Sequence, residues 1–339
     1  MPRISQLPVP SRRSVLLLVA GVTGGMLLAP SAAAADPPTG GEQGLIVFGG
    51  ETEDGTQLWT VEPDGTHAQQ ITHVEGDAVN PDWSPDGRSL VFEWALPDDA
   101  GAQLVLVDAD GGDLRVLPLT RPDCVDANPA FTADGRRVVY LNDCPTESAL
   151  YSRAVDGSGE PQRITPPGPD GYDEPNPSPD GRLLSYIRVE DRVEYQQALT
   201  VSRIDGTEPR DLVPPSADVA VKTGWSPDSS HIVLTTDANQ IGDAPLEADV
   251  ATIAVDGSDL RYLTSYPGGE LSAFAGSYSP DGRWIVFRLQ DDVTGESGLW
   301  RMRPDGSDPS LVFSQAGLRP RFIDWGGTSC GEPGGGRPT

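Results

Sequence analysis

The sequence predicts an all-β fold, a six-bladed β-propeller of four-stranded antiparallel blades. Two recurring phrases and one displaced strand predict it. Residues 80–92, "NPDWSPDGRSLVF", return as "NPAFTADGRRVVY", "PNPSPDGRLLSY", "GWSPDSSHIVL" and "SYSPDGRWIVF". Between these copies falls a second phrase: "TVEPDGTHAQQIT", "LVDADGGDLRVLPLT", "RAVDGSGEPQRIT", "SRIDGTEPRDLV", "IAVDGSDLRYLT" and "MRPDGSDPSLVF". The turn aspartates stand at 64, 86, 110, 134, 156, 180, 205, 228, 256, 281 and 305, in steps of 22 to 28 residues. A regular period of this size marks a repeat architecture.

The 339-residue chain opens on a targeting segment, expected over residues 1–35. "MPRISQLPVPSRR" is its basic n-region, and "SVLLLVAGVTGGMLLA" is an apolar stretch too short and too Gly-rich for a mature membrane span. "AAAAD" offers cleavage after Ala35. Ser11-Arg12-Arg13 resembles the twin-arginine export signal, although Val15 and Leu17 stand where that signal prefers Phe and Lys; an ordinary Sec signal is the alternative. A linker is expected over 36–42 and the propeller over 43–326. "GEPGGGRPT", at the end of residues 327–339, reads as part of a disordered tail.

Within the propeller, Asp-Gly tolerates the positive φ of a tight turn. Each turn separates short β-branched and aromatic runs, so one unit is four strands, A to D. There are six B strands, the first of them "LIVF" (45–48), and six C strands, the first of them "QLWTV", and the D strands precede or include the "IT" or "LT" endings. Five A strands carry Trp83, Phe131, Pro177, Trp225 and Tyr278 in an aromatic slot. The sixth stands at the C-terminus as "RPRFIDWG" (319–326), with Phe322 assigned to that slot. The end of the chain is thereby expected to complete the first blade and remove the open edge.

The "WSPDGR" A–B turns and "DGS" C–D turns resemble the WD-repeat-like propeller of the TolB family. The resemblance covers nearly all of the expected mature chain and implies the propeller. For function it implies less, because similar repeats build the propellers of prolyl-oligopeptidase-type and tricorn-type proteases.

Composition limits the partners. Asp and Glu number 51 against 24 Lys and Arg, for a net charge of -27; without the three arginines of the targeting segment the mature chain comes to about -30. Such a balance disfavours nucleic acid and anionic lipid. No nucleophile elbow, His-x-Glu-x-x-His or Cys-x-x-Cys occurs, so no catalytic residue, metal site or cofactor is expected. His67, His73 and His231 read as surface residues. "DADGGD" (108–113) resembles the start of a calcium loop but lacks its closing Glu, and turn chemistry accounts for its aspartates. Cys124 and Cys144 lie ten residues either side of Asp134, the turn of their hairpin, and are expected to form a disulfide in an exported protein.

A ligand is expected at the channel mouth, where the A strands begin. Repeat alignment sets Asn80, Asn128, Glu174, Lys222, Ala275 and Arg319 in one column, preceded by Asp77, Asp126, Asp173 and Asp218. These readings predict a secreted or cell-envelope, monomeric, non-enzymatic propeller that binds a protein, peptide or glycan. Two alternatives stay open: a polysaccharide hydrolase or lyase using Asp126, Asp173 and Glu174, or an accessory subunit of a separate enzyme.

Overall fold

In a computed structural model, residues 44–167, 170–191, 196–213, 219–236, 248–266 and 268–326 are described. The expected targeting segment, linker and tail, and Asp218, lie outside them. The described strands form six four-stranded antiparallel sheets. Five are continuous in sequence, and their innermost strands are Asp77–Trp83, Val125–Phe131, Gly171–Pro177, Val219–Trp225 and Leu271–Tyr278. The sixth joins both ends of the propeller: Arg319–Gly326 pairs with Leu45–Thr52, which pairs with Gly55–Val61 and then Gln69–Gln70. The ring therefore closes through blade 1, whose A strand comes from the far end of the repeat, and Leu45–Thr52 is paired on both sides.

The recurring phrases have direct structural causes. In the A–B turn at residues 84–89, Ser84 Oγ donates to Asp86 Oδ1 (2.7 Å), Asp86 accepts from the Arg88 amide (3.1 Å), and the Ser89 amide donates back to Ser84 Oγ (3.0 Å). The same arrangement recurs at Thr132/Asp134, Ser178/Asp180, Ser226/Asp228 and Ser279/Asp281. These hydrogen bonds hold the carboxyls of Asp86, Asp134 and Asp180 below the usual range, and that of Asp228 down to about 2. In the first C–D turn Gly65 has φ 83°, and a Cβ there would meet Val312 O at 2.0 Å. Only glycine fits both the turn and the neighbouring blade.

The "IT" and "LT" endings extend a D strand of only two residues. Thr72, Thr165 and Thr264 are buried, and their hydroxyls accept the amides of Leu58, Leu150 and Val250 at 2.8 to 3.0 Å. A side chain thus satisfies a donor that the short outer strand leaves unpaired.

Between blades lie separate apolar layers, as when Val286 and Leu299 of blade 6 pack on Ile46, Phe48, Ile323 and Trp325 of blade 1. The base of each A strand supplies the aromatic slot, paired opposite the first or second residue of the B strand: Trp83 with Leu90, Phe131 with Val138, Trp225 with Ile232 and Tyr278 with Ile285. In blade 1 the residue opposite Ile46 is Trp325, buried to 4% exposure. Trp325 therefore fills the slot that the sequence assigned to Phe322, and the sixth A strand is shifted by three residues from the expected register. The Arg-Pro pair at 319–320 mimics Asn-Pro at 80–81, but the matching dipeptide is Asp324-Trp325 against Asp82-Trp83. Cys124 and Cys144 are joined by a disulfide across the hairpin of blade 3.

Candidate functional site

All six A strands break register with their B strands three to four residues before their ends, by a β-bulge or comparable irregularity. In five of them the residue at the break has positive φ: Asn80 (50°), Asn128 (49°), Glu174 (47°), Lys222 (61°) and Phe322 (51°). Asparagine adopts this region readily; glutamate, lysine and phenylalanine do so at a cost of about 1–2 kcal/mol each. Non-glycine residues held this way concentrate at functional positions.

The break sets these positions along the central channel. A small cavity there, of about 20 Å³, is lined by Asn80, Asn128, Glu174 and Lys222 together with Asp82 and Thr223. Four of the residues expected at the mouth are thus brought together. Phe322 occupies the equivalent place in blade 1, which corrects the assignment of Arg319 to that column. Arg319 instead begins its strand and pairs with Glu51.

A polar relay runs across three blades. Asn80 Nδ2 donates to Asn128 Oδ1, and Asn128 Nδ2 donates to Asp173 Oδ1. Glu93, on a B strand, accepts from Asn80 Nδ2 (3.0 Å) and the Asn128 amide (3.2 Å). Opposite them Lys222 Nζ donates to Pro81 O (2.9 Å). Burial and the Asp173 charge push the Glu174 carboxyl up to about 8, against the pull of Lys222. Asp82 is also pushed up to about 8, by burial and the charge of Asp324, and Asp173 to about 6 by burial. Thr223, 3% exposed, also lines this space, and its buried hydroxyl has no partner in the protein.

The remaining expected residues stand elsewhere. Asp77 Oδ1 accepts the Thr56 amide (2.7 Å), linking blades 1 and 2. Asp126 is 1% exposed and accepts from the Thr120 amide (2.8 Å), the Thr120 hydroxyl (3.0 Å) and Asn142 (2.8 Å). It anchors a loop, so it does not face a substrate beside Asp173 and Glu174, which are consecutive on one strand. Sequence reasoning missed Asp82, Glu93, Thr223 and Phe322; the shared Asp-Trp dipeptide was the signal for the correct register. Among the described residues no group of three or more His, Cys, Asp or Glu is placed to hold a metal, and no helix is long and apolar enough to cross a membrane.

Comparison with known proteins agrees with this architecture. A family model described as the TolB beta propeller domain matches residues 51–239. An uncharacterised protein of Agrobacterium fabrum is 30% identical over 151 residues, covering 44% of each chain. The Tol-Pal system protein TolB of Nitratidesulfovibrio vulgaris is 49% identical over 35 residues, 10% of this chain and 8% of that one. The matches thus span less than half the length of these curated relatives. The crystal structure of TolB from Acinetobacter baumannii superposes with a TM-score of 0.66 at 16% identity, covering 84% of this chain and 67% of that one.

Proposed function

The chain belongs to the TolB β-propeller domain family, and on that premise we propose that it is an exported, non-enzymatic propeller that binds a protein or peptide through the channel mouth. The observation that carries this reading is the set of positive-φ residues at the A-strand breaks, Asn80, Asn128, Glu174, Lys222 and Phe322. Backbone strain repeated from blade to blade presents amide, carboxylate and ammonium groups to one opening. A rigid ring spares a partner most of the ordering cost on the propeller's side.

The relay from Asn80 through Asn128 to Asp173 supports recognition by hydrogen bonding, since each amide is oriented before a ligand arrives. Export is supported by the Cys124–Cys144 disulfide, which suits an oxidising compartment. The twin-arginine-like segment points the same way.

The test is affinity capture from the cell-envelope and secreted fractions of the source cells, using purified propeller as bait. A triple variant, Asn128→Ala, Glu174→Ala and Lys222→Ala, is expected to lose partners that wild type and an exposed C–D-loop control, Glu160→Ala, retain. Identical capture by all three baits removes the channel mouth as the binding face.

A further inference from the structure

A second feature of the ring is basic, in a chain whose net charge is -27. Arg319 and Arg321, on the A strand of blade 1, share one carboxylate. Glu51 Oε2 accepts from Arg319 Nε at 2.6 Å and lies 3.5 Å from Arg321 Nη1. Arg288, on the B strand Ile285–Asp291 of blade 6, approaches the backbone between them, its Nη1 standing 3.5 Å from Pro320 O. It is 9% exposed, lies 3.8 Å over the ring of Phe274, and its Nε has no hydrogen-bond partner in the protein. Arg321 in turn lies 4.9 Å from the ring of Phe322, the residue at the channel bulge.

A buried guanidinium with a vacant donor is costly unless something supplies an acceptor. Burial and the fields of Arg321 and Arg319 depress Arg288 to about 9, only partly opposed by Glu51 and Asp292. Asp292 is occupied by Ser272 (2.6 Å) and Gln290 (2.7 Å). Gln290 and Ser297, paired in register beside Arg288, also keep buried oxygens without partners. Three guanidiniums, one shared carboxylate and two flanking phenyl rings make a place for a planar or tetrahedral oxyanion borne on an apolar group.

We propose that Arg288, Arg319 and Arg321, with Phe274 and Phe322, form an oxyanion-binding pocket between blades 6 and 1 that takes a carboxylate or phosphoryl group attached to an apolar moiety. This deepens the partner-binding reading by naming the chemistry a partner brings to one side of the mouth. The net negative charge of the chain repels such a ligand at long range, so recognition is by short-range bidentate contact and not by steering.

Titration of the full propeller with N-acetylphenylalanine, phenyl phosphate and neutral N-acetylphenylalaninamide, followed by NMR chemical shifts, tests the pocket apart from any partner. Saturable binding of an anion, at least tenfold tighter than the amide and weakened at least tenfold by the R319Q/R321Q pair, is expected. Preference for the acetyl amino acid assigns a carboxylate source, and preference for the phosphate a phosphoryl one. R288Q should act alike; if it fails to fold, the exposed pair keeps the test intact. No saturation, or affinity unchanged in R319Q/R321Q, overturns the pocket even if partner capture depends on Glu174 and Lys222. Probe binding without partner capture keeps the pocket and removes the partner reading.

Discussion

Asp324 Oδ2 accepts the backbone amide of Trp83 at 3.0 Å, a bond between residues 241 apart in sequence that joins the closing strand to blade 2. It belongs to a series. Asp82 Oδ2 accepts the Phe131 amide (2.7 Å), and Ser277 Oγ accepts that of Trp325 (2.6 Å). At each, the residue before one blade's aromatic satisfies the amide of the next blade's. Between blades 3 and 4 the corresponding residues are Ala130 and Pro177, and proline has no N–H to satisfy. Asp324→Ala is expected to leave the Trp83 amide buried without a partner and to cost about 1–3 kcal/mol. Asp324→Asn keeps an acceptor and removes the charge that raises Asp82, so its loss should be smaller. Urea unfolding of the two variants checks this; equal losses would argue against the amide bond as the cause.

Ring closure predicts a larger effect at Trp325. Its side chain is 4% exposed in the layer between blades 6 and 1, with Ile46, Phe48 and Ile323. Removing such an aromatic costs about 3–5 kcal/mol through lost burial and the cavity left behind. Trp325→Ala should therefore lower the thermal midpoint well beyond Phe322→Ala, whose residue is only partly buried at the bulge. The opposite ranking would restore the register in which Phe322 holds the slot.

The blade count, the displaced A strand and the turn chemistry were legible because each rests on local pattern: Ser-x-Asp-Gly bonds itself, and hydrophobic runs alternate with it. The register of "RPRFIDWG" was not, because two dipeptides competed for alignment and only packing decides that Trp325 fills the slot opposite Ile46. Asn80, Asn128, Glu174 and Lys222 could be found by counting three residues back from the aromatic, a distance fixed by the bulge. Asp126 could not be told from them, since its partners Thr120 and Asn142 come from another loop and another strand. Arg288 escaped notice because nothing in "IVFRLQ" shows that its side chain turns toward blade 1.

The Cys124–Cys144 bond closes a span of 20 residues that contains one A–B hairpin. Loop-closure entropy in the unfolded chain makes a crosslink of this length worth about 3 kcal/mol. A Cys124→Ser/Cys144→Ser double variant is expected to lose about 2–4 kcal/mol in urea unfolding, and wild type to fall to the same midpoint when dithiothreitol is added. A loss under about 1 kcal/mol would mean that the paired hairpin already confines the unfolded chain there.

The channel carboxylates set an uncommon direction for pH dependence. Asp82 and Glu174 titrate near 8 in the folded protein, far above ordinary values of 3.8 and 4.5. Between those limits the folded state holds more protons than the unfolded state, so their contribution to stability is full below about pH 4 and is lost as pH rises through 8. The turn aspartates act oppositely: Asp228, lowered to about 2, stabilises above pH 3.8 and loses that contribution as pH falls through 2. Stability should therefore peak near pH 4–5 and decline toward pH 8. General repulsion in a chain of net charge -27 contributes to the same decline, so variants must separate the two. Asp82→Asn with Glu174→Gln removes two titrating groups while an amide oxygen can still accept from the Phe131 amide. Urea midpoints at pH 4.5, 6 and 8 should fall steeply for wild type and much less for this pair. Parallel slopes would assign the decline to overall charge and leave the channel carboxylates ionised in the fold.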